Sequence, residues 1–141
     1  MKRIFIVFFP FFLSGCPSTA DIHHDSYPAR VELQQTSLCL RGSPENDEKL
    51  EAVSFYRKDK SDEKEILFFD RLLLLTHEQC VPIPEYQFIP GVNYHFSIKF
   101  TSPGKKNAGI FPYSREFETE FYLEQDKKGL RVIVTLPVKQ Q

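Results

Sequence analysis

The chain of 141 residues has no tryptophan and no excess of basic residues. Its 18 lysines and arginines stand against 19 aspartates and glutamates, which gives a formal net charge of −1. Nucleic-acid binding requires a clustered basic face, so this balance argues against a nucleic-acid partner. Without tryptophan, 14 phenylalanines and six tyrosines must supply the aromatic part of a core. The length allows one domain at most.

Short motifs of common enzymes are also missing. The sequence contains no G-x-S-x-G, no phosphate-binding loop and no H-E-x-x-H. Carboxylates cluster at 45–48, 59–65 and 116–120, but spacing alone does not place two of them across a cleft, as glycosidases require. His95 falls on the solvated face of a predicted strand, where a catalytic role is the less favoured interpretation. We therefore predict a protein that is not an enzyme and has no cofactor. A hydrolase or sugar-binding module stays an alternative.

No apolar run is long enough to span a bilayer. The longest, residues 4–13, follows two basic residues, and a membrane-spanning helix needs about 20 residues. This combination indicates a signal peptide. The motif LSGC at 13–16 matches the bacterial lipobox, in which a transferase alkylates the cysteine thiol and a peptidase cuts before it, after two small residues. We predict that residues 1–15 are removed and that Cys16 carries diacylglycerol and a further acyl chain such as palmitate. A secreted protein with an ordinary cleavage site is the alternative.

Lipidation of Cys16 would make the protein a resident of the periplasm of a Gram-negative bacterium. Each buried acyl CH₂ contributes about 0.8 kcal/mol, so two or three chains form a lasting anchor. The next residue is Pro17 and not the aspartate that commonly retains lipoproteins on the inner membrane, so either membrane remains open. Loss of the leader leaves 16 basic and 19 acidic side chains, a net charge of −3.

Three cysteines leave one pair after lipidation. An exported domain meets an oxidising compartment, so a disulfide between Cys39 and Cys80 is the first expectation. Such a bond would stabilise the fold by about 4 kcal/mol on the chain-entropy model. A redox or metal pair is the alternative, but no C-x-x-C spacing and no nearby histidine cluster support it.

Residues 16–28 are mostly polar or small and include two prolines, a composition typical of a flexible linker, and we predict a lipidated tether there. His23, His24 and Asp25 could suggest a metal site within it. A structural site needs four ligands in fixed geometry, which a solvated linker does not provide, so we predict no metal. The domain proper is predicted to span 29–141.

From residue 30 onward, apolar residues recur with a period of two, which is typical of strands. Residues 93–100 are the clearest case, because four large apolar side chains alternate there with polar ones. Residues 72–75 either continue the preceding strand or begin a helical turn, and 101–114 is predicted to be a long loop. The predicted strands are 30–35, 37–41, 51–57, 65–70, 80–83, 93–100, 115–124 and 130–138.

Seven or eight short strands with turns between them predict an all-β fold, an antiparallel sandwich of the immunoglobulin or fibronectin-III type. Residues 88–94 sharpen this prediction, since Pro90 and Gly91 suit a turn and Tyr94 begins the next strand. In such domains a tyrosine in this place bonds back to the backbone of the preceding turn. Any β-turn before a strand that carries tyrosine is the alternative.

Five segments together resemble a family of small enterobacterial lipoproteins, the type VI secretion immunity periplasmic lipoproteins. All five lie within residues 1–100. Beyond the lipidated and paired cysteines, the resemblance carries over no functional residue. The segments are Gly15-Cys16-Pro17, Ser37-Leu38-Cys39-Leu40, Ser54-Phe55-Tyr56, Gln79-Cys80-Val81-Pro82 and Pro90-Gly91-Val92-Asn93-Tyr94.

The resemblance implies that the anchored domain binds a protein toxin injected into the periplasm and blocks its active site or its membrane insertion. Exposed loops commonly carry binding residues, and the candidates are 42–49, 58–64 and 101–114. The last loop mixes basic and aromatic residues that suit an interface. Aromatics packed onto the core, or a structural lipoprotein of the envelope without a toxin partner, are the alternatives. The predicted partner-binding residues are Lys105, Lys106, Phe111 and Tyr113.

Overall fold

The computed structural model describes residues 26–35, 37–83 and 86–136. The predicted leader, Cys16 and the histidines of the predicted tether lie outside these residues. Strands form wherever the period of two is sustained, and one short helix interrupts them. The elements are β1 (Ser26–Pro28), β2 (Arg30–Gln34), β3 (Ser37–Arg41), β4 (Lys49–Arg57), β5 (Glu65–Leu73), β6 (Asn93–Thr101), α1 (Pro103–Ala108), β7 (Ser114–Asp126) and β8 (Gly129–Leu136), with a 3₁₀ turn at Lys58–Lys60.

Most strands belong to one large sheet with the order β1-β7-β6-β4-β5. β7 is long enough to pair with β1 along its first half and with β8 along its second half. β1 runs parallel to β7, and the other pairs are antiparallel. β2 and β3 form a separate hairpin whose apolar residues join the core under the large sheet. The order β7-β6-β4-β5 corresponds to the G-F-C-C′ sheet of immunoglobulin-like domains. The predicted all-β sandwich is confirmed.

The core lies between the large sheet and the β2–β3 hairpin. The register pairs Phe55 of β4 with Phe96 of β6, and their rings stack with centroids 5.0 Å apart. Phenylalanine and tyrosine thus fill the core without tryptophan. Each well-placed aromatic pair stabilises the fold by about 0.5–1.5 kcal/mol beyond the contribution of its buried area. The buried apolar residues are Val31, Leu40, Leu50, Val53, Phe55, Val81, Tyr94, Phe96, Ile98, Phe100, Phe117, Phe121 and Leu123.

The turn before β6 contains the expected tyrosine contact. The Ile89 N–H donates a hydrogen bond to the Tyr94 hydroxyl oxygen over 2.9 Å, and the Tyr94 side chain is fully buried. Gly91 has a φ of 80°, which a residue with a side chain rarely adopts. This contact lets a large polar aromatic residue pack in the core with its hydroxyl satisfied.

The disulfide between Cys39 and Cys80 is present, with Cα atoms 5.0 Å apart. It joins β3 to the segment that follows β5, and the Val81 N–H donates to the Leu40 carbonyl beside it over 2.8 Å. The bond closes a loop with a sequence separation of 41 residues. This loop length corresponds to about 4 kcal/mol of stabilisation on the chain-entropy model.

The largest differences from the sequence prediction concern four segments. Ser26–Pro28 was predicted as tether but forms β1, because Tyr27 packs its ring 5.4 Å from that of Phe117. β5 continues to Leu73, and residues 80–83 form no strand, although Val81 is buried. The predicted loop 101–114 contains α1, whose local signals are described below.

Candidate functional site

The short helix α1 follows from three local signals. Ser102 precedes it as the N-cap, and its hydroxyl oxygen accepts a hydrogen bond from the Lys105 N–H over 3.1 Å. Pro103 occupies the first helical position, where its missing N–H costs nothing. Gly109 ends the helix in the left-handed conformation with φ of 67°. Ser102-Pro103 as a start signal and Gly109 as an end signal would have predicted this helix from the sequence.

The segment after α1 exposes large apolar side chains. We call residues 103–113 the α1 loop. Ile110 is 54% exposed and Phe111 is 66% exposed, although both are the kind of residue that folding normally buries. At this exposure the aromatic side chain of Phe111 points outward and does not pack onto the core, which was the alternative for this loop. The Phe111–Pro112 peptide bond is cis.

Three of the four predicted partner-binding residues lie together. The rings of Phe111 and Tyr113 are 5.0 Å apart, and the Lys106 ammonium lies 5.9 Å from the centre of the Tyr113 ring. Lys105 is exposed on the same helix but has no such contact among the described residues. The structure thus gathers a basic and aromatic surface at one end of the sheet. We call this the α1 end, where β6 ends and β7 begins.

The α1 loop is fixed to a second predicted loop, 42–49, of which residues 42–48 precede β4. The Ser102 hydroxyl donates to Asp47 Oδ1 over 2.5 Å, and the Gly104 N–H donates to Asp47 Oδ2 over 2.7 Å. These two hydrogen bonds, from Ser102 first and Gly104 second, lower the pKa of Asp47. Both loops therefore form one surface at the α1 end.

The side chain of Arg115, near the start of β7, holds residues 42–48 in place. Its guanidinium donates to both carboxylate oxygens of Glu48, over 2.8 Å and 2.5 Å, and also to Glu45 and to the Ser43 carbonyl oxygen. Burial raises the pKa of Glu48, but the hydrogen bonds from Arg115 and from the Glu45 N–H outweigh it, so the pKa is lowered. A bidentate pair of this kind is geometrically specific as well as strong.

The third predicted loop, 58–64, lies at the opposite end of the sheet. β4 pairs Arg57 with Tyr94 at the start of β6, whereas Lys49 pairs with Thr101 at its end. The 3₁₀ turn after Arg57 is therefore separated from the α1 end by the length of β4. The three candidate loops do not form a single surface.

Sequence reasoning missed an exposed apolar surface on β5. This strand pairs with β4 on one side, and among the described residues no strand pairs with its other side. Phe68 is 75% exposed, and three further large apolar side chains are also exposed nearby. We call this surface the β5 edge. It comprises Ile66, Phe68 and Leu72 of β5 and Leu74 directly after the strand.

The remaining polar cluster lies on the face of the large sheet opposite the core. His95 stacks on Tyr56, with ring centroids 4.9 Å apart, and its Nδ1 lies 3.4 Å from Glu120 Oε1. The Ser97 hydroxyl donates to Glu116 and not to the histidine. The carboxylates of β7 face outward as predicted, but Glu120 is nearly buried under Lys58, which donates to it over 2.8 Å. These contacts satisfy one another without the serine–histidine hydrogen bond of an activated nucleophile.

No helix in the described ranges has the length and apolar character needed to cross a bilayer. Within the same ranges, no three histidine, cysteine or carboxylate side chains converge in a way that could hold a metal ion.

Comparison with known proteins gives one match. Residues 26–126, more than two thirds of the chain, match the profile of a family described as Domain of unknown function (DUF7480). The matched range begins with β1 and ends with β7, so it contains both exposed surfaces and the disulfide. No curated protein and no solved structure matches the chain.

Proposed function

We propose that this chain, which belongs to the DUF7480 family of domains of unknown function, is a membrane-anchored immunity protein of the periplasm. In this proposal Cys16 carries the lipid, and the β-sandwich binds and neutralises a toxin delivered by a type VI secretion system. The resemblance of residues 1–100 to immunity lipoproteins supports the biological role, and the exposed surfaces support the binding role.

The β5 edge is the observation that carries the proposal. Natural sheets protect their edge strands with charges, prolines or short length, because an open edge pairs readily with another chain. β5 is nine residues long, and between the charged residues Glu65 and Asp70 its stretch 66–69 carries no charge and exposes Phe68 and Ile66 on one face. Contiguous exposed apolar residues on a monomeric domain commonly mark a protein–protein interface.

An extended segment of the toxin fits this edge. Its backbone would continue the sheet beside β5, and its side chains would cover the face that carries Phe68. The flanking charges at Glu65, Asp70 and Arg71 are exposed and would form the polar rim. Aromatic residues near the centre of an interface commonly contribute most of the binding free energy, so Phe68 is the expected anchor.

A rigid scaffold suits this role. The Cys39–Cys80 disulfide and the aromatic core hold β4 and β6 in place, and β5 is presented on β4. A binding strand that is ordered before the encounter loses less conformational entropy on binding. Inhibition by binding also needs no catalytic group.

The test is co-expression of the chain with the product of the gene immediately upstream, directed to the periplasm. Survival should fall when the neighbour is expressed alone and recover when this lipoprotein is present. Replacing Phe68 by serine should abolish the recovery. The matched control is Val134→Ser on β8, since Val134 is likewise exposed, at 50%. This variant should leave the recovery intact.

Two outcomes would oppose the proposal. Toxicity that this lipoprotein does not relieve would show that it is not the antidote to that toxin. A neighbour that is harmless in the periplasm would favour the structural or assembly lipoprotein, because nothing would need to be neutralised.

A further inference from the structure

The described part of the chain begins at the α1 end. β1 runs parallel to β7, and Ser26 pairs with Glu116, two residues after β7 begins at Ser114. The α1 loop ends immediately before Ser114. Residue 26, through which any N-terminal anchor must connect, therefore enters the domain beside the α1 loop.

The distance between lipid and domain is limited by chain length. Ten residue steps separate Cys16 from Ser26, and even a fully extended chain spans at most about 35 Å over ten steps. From Glu116 to Asp126 the sheet extends a further ten residues, which is about 33 Å. The opposite end of the sheet could reach the membrane only if the connection were stretched along the whole molecule. The α1 end reaches it without this constraint.

The surface at this end has the chemistry of a bilayer interface. Ile110 and Phe111 are exposed apolar side chains, and Tyr113 combines an aromatic ring with a polar hydroxyl. Aromatic residues of this kind are enriched at the level of lipid headgroups. Once a protein is anchored, insertion of a few side chains becomes an intramolecular step, so that a small apolar surface is sufficient.

Charge at the α1 end favours the same orientation. Glu45 and Glu48 are paired with Arg115, and Asp47 accepts hydrogen bonds from Ser102 and Gly104. Among the described residues, Lys105 and Lys106 have no carboxylate within 4 Å. Lys105 stabilises the charged forms of Asp47 and Glu48, and Lys106 stabilises that of Glu51. Since the lysine charges are partly balanced in this way, we expect the apolar side chains to contribute more than the lysines to contact with anionic headgroups.

We propose that the α1 loop is a membrane-contact surface that seats the domain on the lipid bilayer, with Phe111 and Ile110 in the headgroup region and both lysines toward anionic lipids. This inference rests on the proposed lipid anchor at Cys16 but not on the identity of the toxin. It assigns the predicted partner-binding residues to a lipid partner. Phe68 lies on β5, at the edge of the sheet opposite β1 and separated from it by three strands.

The absence of tryptophan makes a direct test possible. The full chain with Phe111→Trp, and separately with Phe68→Trp, is produced in cells that process lipoproteins. Mass spectrometry establishes the lipid on Cys16. The protein is then reconstituted into vesicles of phosphatidylethanolamine and phosphatidylglycerol that contain lipids brominated at different acyl positions. Thermal unfolding shows that both variants fold like the parent.

The Phe111→Trp variant in vesicles should emit at shorter wavelength than the same variant without its lipid in detergent-free buffer. Brominated lipids should quench this emission, with the strongest effect at a depth of about 5–10 Å. The Phe68→Trp variant should show neither the shift nor the quenching. Lys105→Gln and Lys106→Gln should each reduce the ratio of membrane-bound to membrane-free α1 loops by about fivefold, as seen in the quenching. Omission of phosphatidylglycerol should remove that difference.

Two results would overturn the inference in distinguishable ways. An unmodified Cys16 would remove the anchor and with it this part of the proposed function. A lipidated protein in which positions 111 and 68 are quenched equally, or not at all, would refute the membrane contact and leave toxin binding at the β5 edge unaffected.

Discussion

The α1 end and the β5 edge both expose large apolar side chains, but the molecule supports them differently. At the α1 end, Asp47 and Arg115 tie two loops to the sheet through a network of charged hydrogen bonds. The β5 edge is held by pairing with β4 on one side, and Phe68 stands on it with 75% of its surface exposed.

The α1 end is held in one arrangement by polar contacts, whereas the β5 edge has one side without a partner strand among the described residues. A surface that is fixed by polar contacts keeps one shape, which suits contact with a partner as generic as a bilayer. A strand with an open side offers backbone donors and acceptors that another protein can pair with, which suits a specific partner. The two surfaces should therefore respond to different mutations, and the predictions below run from the largest expected effect to the smallest.

Removing the disulfide should affect both surfaces, since both rest on the same core. Replacing Cys39 and Cys80 by alanine should lower the free energy of unfolding by about 4 kcal/mol. Urea unfolding followed by circular dichroism measures the change. Reduction of the parent protein with dithiothreitol should produce the same loss. A loss below about 1 kcal/mol would show that the core is stable without the bond.

Replacing Arg115 by alanine should act mainly at the α1 end. Glu48 is only 5% exposed, and removing the partner of a buried charge costs about 3 kcal/mol or more. Arg131 is the matched control, because its pairs with Glu124 and Asp126 are exposed and such pairs are worth about 1 kcal/mol or less. Equal losses in the two variants, measured by urea unfolding, would contradict the importance of the network.

Replacing Glu48 by glutamine should remove a charged hydrogen bond at neutral pH, at a cost of about 2 kcal/mol. The lowered pKa of Glu48 means that its contribution is present above the ordinary value of 4.5 and is lost as pH falls through the folded-state value. The stability of the parent and the variant should therefore converge on acidification. Unfolding measured from pH 7 down to pH 3 checks this, and a constant difference would contradict it.

Replacing Asp47 by alanine should loosen the α1 loop with little effect elsewhere. The Gly104 N–H would lose its acceptor and the Ser102 hydroxyl its partner. Hydrogen exchange should accelerate at residues 104–106 and remain unchanged in β4 and β6. Faster exchange throughout the sheet would mean that Asp47 supports the whole fold.

Part of this structure follows directly from the sequence. In β6 one parity of residues is apolar and the other polar, and that alternation fixes both the strand and its buried face. The tyrosine contact at Tyr94 and the disulfide follow from motif and compartment in the same way.

The β5 edge could not be predicted, because residues 66–69 are all apolar and both faces of the strand therefore carry apolar side chains. Such a run does not indicate which face is buried or whether the strand has one neighbour or two. β1 was missed because its three residues are too few to show a period, and only its register with β7 makes it a strand. The helix α1 did have a signal in Ser102, Pro103 and Gly109, which the period-of-two pattern around it obscured.

Calorimetry with the purified neighbour-encoded protein tests the central claim most directly. The parent chain should bind it stoichiometrically at micromolar concentrations or below. Phe68→Ser should weaken binding about tenfold or more while leaving the free energy of unfolding within about 0.5 kcal/mol, as expected for an exposed position. An unchanged affinity in this variant, or no heat of binding for the parent, would contradict the assignment of the β5 edge as the toxin-binding surface.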